Sequence, residues 1–212
     1  MLVINEIFHS VEGEGTSIGI PMVFVRLTGC NLRCSYCDTE YAFYEGKKMS
    51  VEDVLNEIEK YGTDIVEITG GEPLLQKEVF PLMDLLINRK YKVLLETSGS
   101  VPFKNVNKNV KIIMDLKTPS SNMEKFNLYE NIDFIKQNDE IKFVIGSKDD
   151  YDWAKMIIDN YSLLQKCEVI FSPVYGKIEP REIVNWILND KLRVRFLLQM
   201  HKFIWEHDTR GV

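Results

Sequence analysis

Three of the four cysteines of this chain, Cys30, Cys34 and Cys37, stand within eight residues in the spacing C-x3-C-x2-C. Three thiolates on one short loop suit a metal better than a disulfide. A structural zinc takes four protein ligands as a rule, so that reading needs a distant fourth, such as Cys167 or a histidine. Cys167 opens a strand-like run and reads as a small buried hydrophobe. Three sulfurs and an open position fit an iron–sulfur cubane, with three irons held by the protein and the fourth left to a small molecule.

Other residues able to do chemistry cluster at the ends of apolar runs. Gly70-Gly71-Glu72-Pro73 follows residues 64–69, and its glycines permit close backbone approach to a ligand. Glu12-Gly13-Glu14-Gly15 lies between the runs 2–8 and 22–28 and can wrap a ligand. Further polar signatures follow apolar runs at 96–99, 115–118 and 172–175.

The elements that must position these groups alternate. Strands are expected over residues 2–8, 22–28, 64–69, 92–96, 111–116, 140–145, 168–171 and 193–198. Helices are expected from Ser50, with Asp53 three residues on and Gly62 as the stop, and over 78–89, 149–161 and 181–188. An alternation of βαβα throughout predicts an α/β fold with a mainly parallel sheet, functional groups lying beyond the carboxyl ends of strands. The chain is short for eight such units. We therefore expect a partial, open (β/α) barrel, with residues 1–212 as one domain, and a loose end over 205–210.

With 45% hydrophobic residues in 212, the chain can bury a full core. A net charge of -6 argues against nucleic acid as a partner, since phosphate binding needs a surplus of Lys and Arg. No apolar run approaches the length of a membrane span, and the start lacks a secretory pattern. A cytoplasmic enzyme acting on a small polar molecule is expected.

The cysteine loop followed by Gly70-Gly71-Glu72-Pro73 resembles the radical S-adenosylmethionine (SAM) enzymes. Glu12-Gly13-Glu14-Gly15, the run from Phe24 to Cys34, Cys37-Asp38-Thr39, Glu96-Thr97-Ser98-Gly99-Ser100 and Gln199-Met200-His201-Lys202 narrow the resemblance to the 7-carboxy-7-deazaguanine synthases. The resemblance implies that Cys30, Cys34 and Cys37 hold a [4Fe-4S] cluster whose free iron binds SAM, and that Gly70, Gly71, Glu72, Ser98, Lys117, Ser172 and Tyr175 contact SAM, with Glu72 accepting from its ammonium. It implies a pterin substrate, 6-carboxy-5,6,7,8-tetrahydropterin, met by Val11, Glu12, Gly13, Glu14, Arg26, Thr69 and His201. Arg26 would grip the substrate carboxylate, and Thr39 would help hold Mg2+. It further implies a flavodoxin or ferredoxin as electron donor, a homodimer, and a place in queuosine or other 7-deazapurine biosynthesis. The chain departs from the family pattern at Glu12, where Gln is common, at Asp115-Leu116-Lys117, where Ser-Pro-Lys is frequent, and at Ser172-Pro173, where Gln-Pro is. A glycyl-radical activating enzyme shares the cysteine loop, and a zinc-stabilised binding module without turnover is the alternative of another class.

Overall fold

The computed structural model describes residues 1–206 and 209–212; His207 and Asp208, within the expected loose end, lie outside the described residues. Nine strands form one sheet: β1 (Leu2–Val11), β2 (Pro21–Leu27), β3 (Lys47–Met49), β4 (Ile65–Gly70), β5 (Lys92–Thr97), β6 (Lys111–Asp115), β7 (Glu140–Ile145), β8 (Glu168–Pro173) and β9 (Arg195–Phe196). Their order is β3-β1-β2-β4-β5-β6-β7-β8-β9, so the sheet is open. From β2 to β9 every pairing is parallel; β1 runs antiparallel to both of its neighbours.

Helices α1 (Val51–Glu59), α2 (Val79–Asn88), α3 (Lys148–Tyr161) and α4 (Pro180–Asp190) cover one face, and the short α5 (His201–Ile204) follows β9. The expected start of α1 is a reciprocal cap. The Asp53 backbone N–H donates to Ser50 Oγ at 3.0 Å, and the Ser50 N–H donates to Asp53 Oδ2 at 3.2 Å.

Two expectations need correction. The alternation is not βαβα throughout, because β5 to β6 and β6 to β7 are joined without an α-helix. Those stretches carry Pro102, Pro119, Gly99 and several Asn and Ser, which favour turns over helix. The edge strand β3 is also new. With two lysines in three residues it lacks an apolar signature, and such lysines blunt an edge against further pairing.

The two faces of the sheet differ residue by residue. Val23, Val25 and Leu27 of β2, Val66 and Ile68 of β4, Val93 and Leu95 of β5, Ile112 and Met114 of β6, and Ile141, Phe143 and Ile145 of β7 join the helices in the main core. Side chains alternate along a strand, so the residues between them point the other way. Near one end these are Phe8, Met22, Phe24, Leu94 and Ile113, a small second apolar cluster. Toward the carboxyl ends they are Arg26, Glu67, Thr69, Glu96, Asp115 and Lys142, which line a cavity.

Candidate active site

The cavity encloses about 600 Å³ beyond the carboxyl ends of the strands, within the usual range for ligand sites. At one end it is bounded by the cysteine loop. Gly29 N–H donates to Ala42 O at 2.8 Å, Glu72 N–H to Gly29 O at 2.8 Å, and Ser35 N–H to Ser121 O at 3.0 Å, which pins the loop at three places. Leu32 is buried beneath it, and the Arg33 guanidinium lies 4.2 Å from the Phe43 ring centre. Gly71 has a definite reason to be glycine. A Cβ there would sit 2.4 Å from Gly29 O and 2.6 Å from Cys30 Cβ, so the turn after β4 packs directly on the cysteine loop.

Cys30, Cys34 and Cys37 are free thiols and all line the cavity. Burial raises the pKa of each, Cys34 to about 11, and the neighbouring thiols add to the effect at Cys34. Three protonated thiols grouped this way become thiolates when a metal takes the place of their protons. Among the described residues, no three His, Cys, Asp or Glu side chains converge as one single metal ion requires.

Glu72, expected to accept from the SAM ammonium, stands on the turn after β4. It is fully buried, does not line the cavity, and accepts from Leu74 N–H at 3.1 Å, Thr97 Oγ1 at 2.9 Å, Ser98 N–H at 2.9 Å and Ser98 Oγ at 2.6 Å. Its carboxyl group braces the turn after β4 against the end of β5. Gly70, Gly71 and Ser98 do line the cavity, as do Lys117 and Tyr175. The Lys117 ammonium donates to Asp115 Oδ2 at 2.9 Å; burial alone would lower its pKa, but Asp115 raises it. Asp115 Oδ1 is buried with no partner among the described residues. Ser172 also has a buried, unpartnered hydroxyl, but it does not line the cavity; Val174 does.

The other end of the cavity is a network of charges. Arg26 Nε donates to Glu6 Oε1 at 2.8 Å, and Tyr41 OH donates to the same oxygen at 2.8 Å. Thr69 Oγ1 donates to Glu96 Oε2 at 2.9 Å. The buried Lys142 ammonium donates to Glu96 Oε1 at 2.7 Å and Glu14 Oε2 at 2.6 Å, and Gln199 Nε2 donates to Glu14 Oε1 at 2.9 Å. Burial alone would raise the Glu14 pKa, but Lys142 and then His201 hold it down at about 2. Burial would lower that of Lys142, but Glu14, Glu96 and Asp115 keep it well above the ordinary ammonium range.

Of the remaining predicted residues, Val11, Glu12, Gly13, Glu14, Thr39 and His201 line the cavity. Glu12 Oε1 accepts from the N–H groups of Glu14 and Gly15, at 2.7 and 3.3 Å, and so shapes its own loop. A Cβ on Gly13 would meet His201 Nδ1 at 2.4 Å, and Met200 N–H donates to Gly13 O at 2.8 Å, which joins this loop to α5. Thr39 Oγ1 donates to Asp38 Oδ1 at 2.9 Å, and Lys202 pairs with Asp38 Oδ2 at 2.8 Å.

Sequence reasoning assigned no role to Glu67, Glu96, Lys142, Asp38, Lys202, Gln199 or Tyr41, all of which line the cavity. Nor is the end of the chain loose where it is described. Thr209 to Val212 line the same cavity; Arg210 pairs with Glu45 at 2.8 Å and stacks 3.9 Å from the Tyr41 ring centre.

Residues 24–183 match the family model described as the radical SAM superfamily, and the chain belongs to it. That membership carries a [4Fe-4S] cluster and SAM as cofactors, and the three cavity-lining thiols fit the cluster. Within the superfamily, a 7-carboxy-7-deazaguanine synthase from Koribacter versatilis is 45% identical, with 99% of each chain covered. One from Chlorobaculum tepidum is 44% identical, covering 99% of this chain and 96% of the relative. Among solved structures, QueE from Escherichia coli superposes with a TM-score of 0.80 over 94% of both chains, at 24% identity, and so shares the fold. This chain is a member of the 7-carboxy-7-deazaguanine synthase family. Neither a glycyl-radical activating enzyme nor a zinc-stabilised binding module accounts for that full-length similarity. Among the described residues, no helix is long and apolar enough to cross a membrane.

Proposed function

We propose that this cavity converts 6-carboxy-5,6,7,8-tetrahydropterin to 7-carboxy-7-deazaguanine, with ring contraction and loss of ammonia. The observation that carries the reading is the cavity's lining, in which three thiols meet a guanidinium and an acid–lysine network. When bound, the cluster and SAM supply hydrogen-atom abstraction, and the protein's own residues orient the reactants and exclude water.

Cys30, Cys34 and Cys37 hold the cluster. Gly70, Gly71, Ser98, Lys117, Val174 and Tyr175 surround SAM, with Ser172 and Glu72 placed behind them and Glu72 acting through the backbone it braces. Arg26 holds the substrate carboxylate from a fixed orientation, because Glu6 already anchors its Nε. Val11 to Glu14, Thr69 and His201 complete the substrate end. Thr39, beside Asp38, is the site for Mg2+, whose oxygen preference the hydroxyl meets. A flavodoxin or ferredoxin delivers the electron to a cytoplasmic homodimer, and the product enters queuosine or other 7-deazapurine synthesis.

Anaerobic incubation of the reconstituted protein with reductant, SAM, Mg2+ and the tetrahydropterin, followed by mass spectrometry, tests the reading. Formation of 7-carboxy-7-deazaguanine is expected. Deoxyadenosine without the deazaguanine would overturn the substrate while leaving the superfamily chemistry intact.

A further inference from the structure

Glu67 is a buried acid of the cavity to which the roles above give no part. It sits on β4 two residues before Thr69, and the parallel register sets it beside Phe24 as it sets Thr69 beside Arg26. At about 3.3 Å per residue, Glu67 therefore lies about 7 Å deeper than the Arg26–Thr69 pair. It is 3% exposed yet lines the cavity. The stacked rings of Phe8 and Phe24, 5.0 Å apart, form the apolar wall at this depth.

The neighbours of Glu67 cannot neutralise it as an anion. Its Oε2 and the Oε2 of Glu12 are both buried with no donor among the described residues, and the charge of Glu12 acts on Glu67. Glu12 Oε1 is held by the backbone of its loop. The other charged groups acting on Glu67 are Glu96 of β5, which repels it, and Lys142 of β7, whose ammonium is already bound to Glu14 and Glu96. Two facing carboxyls without a cation between them retain a proton. Burial first, and then the Glu12 charge, push the Glu67 carboxyl well above the usual range. Glu67 thus brings a buried carboxyl group, with one oxygen unpartnered among the described residues, to the cavity wall.

We propose that Glu67 is a specificity residue whose buried carboxyl group accepts a hydrogen bond from the N–H edge of a flat heterocyclic substrate. This rests on the pterin reading given above. The orientation follows from charge. A substrate carboxylate is repelled by Glu12 and Glu96 and drawn to Arg26, which leaves the N–H-rich end of the ring system to enter deepest. An oxygen acceptor there meets the N–H groups of the ring, so that neither partner is buried unpaired.

Equilibrium binding of the tetrahydropterin to the reconstituted, SAM-loaded enzyme tests this under anaerobic conditions, with Glu67→Gln and Glu67→Leu beside the unaltered protein. Glutamine keeps a carbonyl acceptor and gives Glu12 an N–H, so it is expected to bind within about threefold of the parent. Leucine removes the acceptor and is expected to weaken binding about 10- to 100-fold, with cluster absorbance and SAM binding unchanged. Binding by the parent should also weaken on the alkaline side, as the pair loses its proton, relative to Glu67→Gln, in which no such proton exists. Equal binding by Glu67→Leu and the parent would overturn the proposal alone, as would a Glu67→Gln variant as weak as Glu67→Leu. A parent enzyme that cleaves SAM but does not bind the tetrahydropterin would overturn both the proposal and the reading on which it rests.

Discussion

The two ends of the cavity are built on different physical plans. At the cofactor end, the reactive groups are close in sequence and incomplete by themselves: three thiols on one loop, raised in pKa by burial. At the substrate end they come from five parts of the chain and satisfy one another, as Thr69, Glu96, Lys142, Glu14 and Gln199 do in a continuous run of hydrogen bonds. Metal binding would stabilise the thiolates of the first end. The second is organised by the fold before any ligand arrives, so its binding groups need little reordering.

This contrast can be broken at either end. The largest effect is expected from Cys34→Ala, which removes one of only three cluster ligands. Iron and sulfide content after reconstitution should fall, and deoxyadenosine and deazaguanine should both vanish. Turnover by this variant would disprove the cluster assignment.

Next comes Lys142→Met at the substrate end. It leaves Glu14 and Glu96 as partly buried carboxylates without their cation, and removal of one partner from a buried ion pair costs about 3 kcal/mol or more. Chemical denaturation of the apoprotein should show that loss, whereas Cys34→Ala should leave apoprotein stability little changed. If the two variants unfold alike, the ends do not differ as described.

A smaller effect separates binding from cofactor chemistry. Arg26→Lys keeps the charge but loses the planar, Glu6-anchored fork, so the KM for the tetrahydropterin should rise about tenfold. Cleavage of SAM without substrate should continue at the parent rate. An unchanged KM would remove Arg26 from the substrate site.

The smallest effect is in pH. Glu14 titrates near 2 in the folded chain, below its ordinary value of 4.5. As pH falls, the unfolded chain takes up this proton first. The contribution of Glu14 is therefore complete above about 4.5 and is lost as pH falls through about 2. Apoprotein carrying Glu14→Gln should be less stable than the parent at pH 5, and the gap should narrow on acidification. A gap independent of pH would mean that the Lys142 pairing contributes nothing.

The same contrast explains what could be read from the chain alone. The cysteine loop and Gly70-Gly71-Glu72-Pro73 are contiguous, so their chemistry is visible as spacing, and the helix start at Ser50 and Asp53 is equally local. Glu72 shows the limit of such reading. Its place in the motif is plain, but the turn of its carboxyl toward Thr97 and Ser98 depends on how β4 and β5 align. Lys142, Glu96 and Glu67 meet only through sheet register, and no spacing reports that. They did leave a trace. Each is a charged residue inside an apolar strand, as in Val66-Glu67-Ile68 and Ile141-Lys142-Phe143, and period-2 alternation assigns it to the face opposite the core. The role of residues 209–212 had no such trace, since a short polar stretch carries no pattern that says where it packs.

The central claim is that the cofactor end and the substrate end serve one reaction in one cavity. Its most direct test is hydrogen transfer between them: anaerobic turnover with ring-deuterated 6-carboxytetrahydropterin and unlabelled SAM, with deoxyadenosine analysed by mass spectrometry. Deuterium in the deoxyadenosine, together with formation of 7-carboxy-7-deazaguanine, is predicted. Deoxyadenosine that forms at the same rate with or without the pterin and carries no deuterium would contradict it.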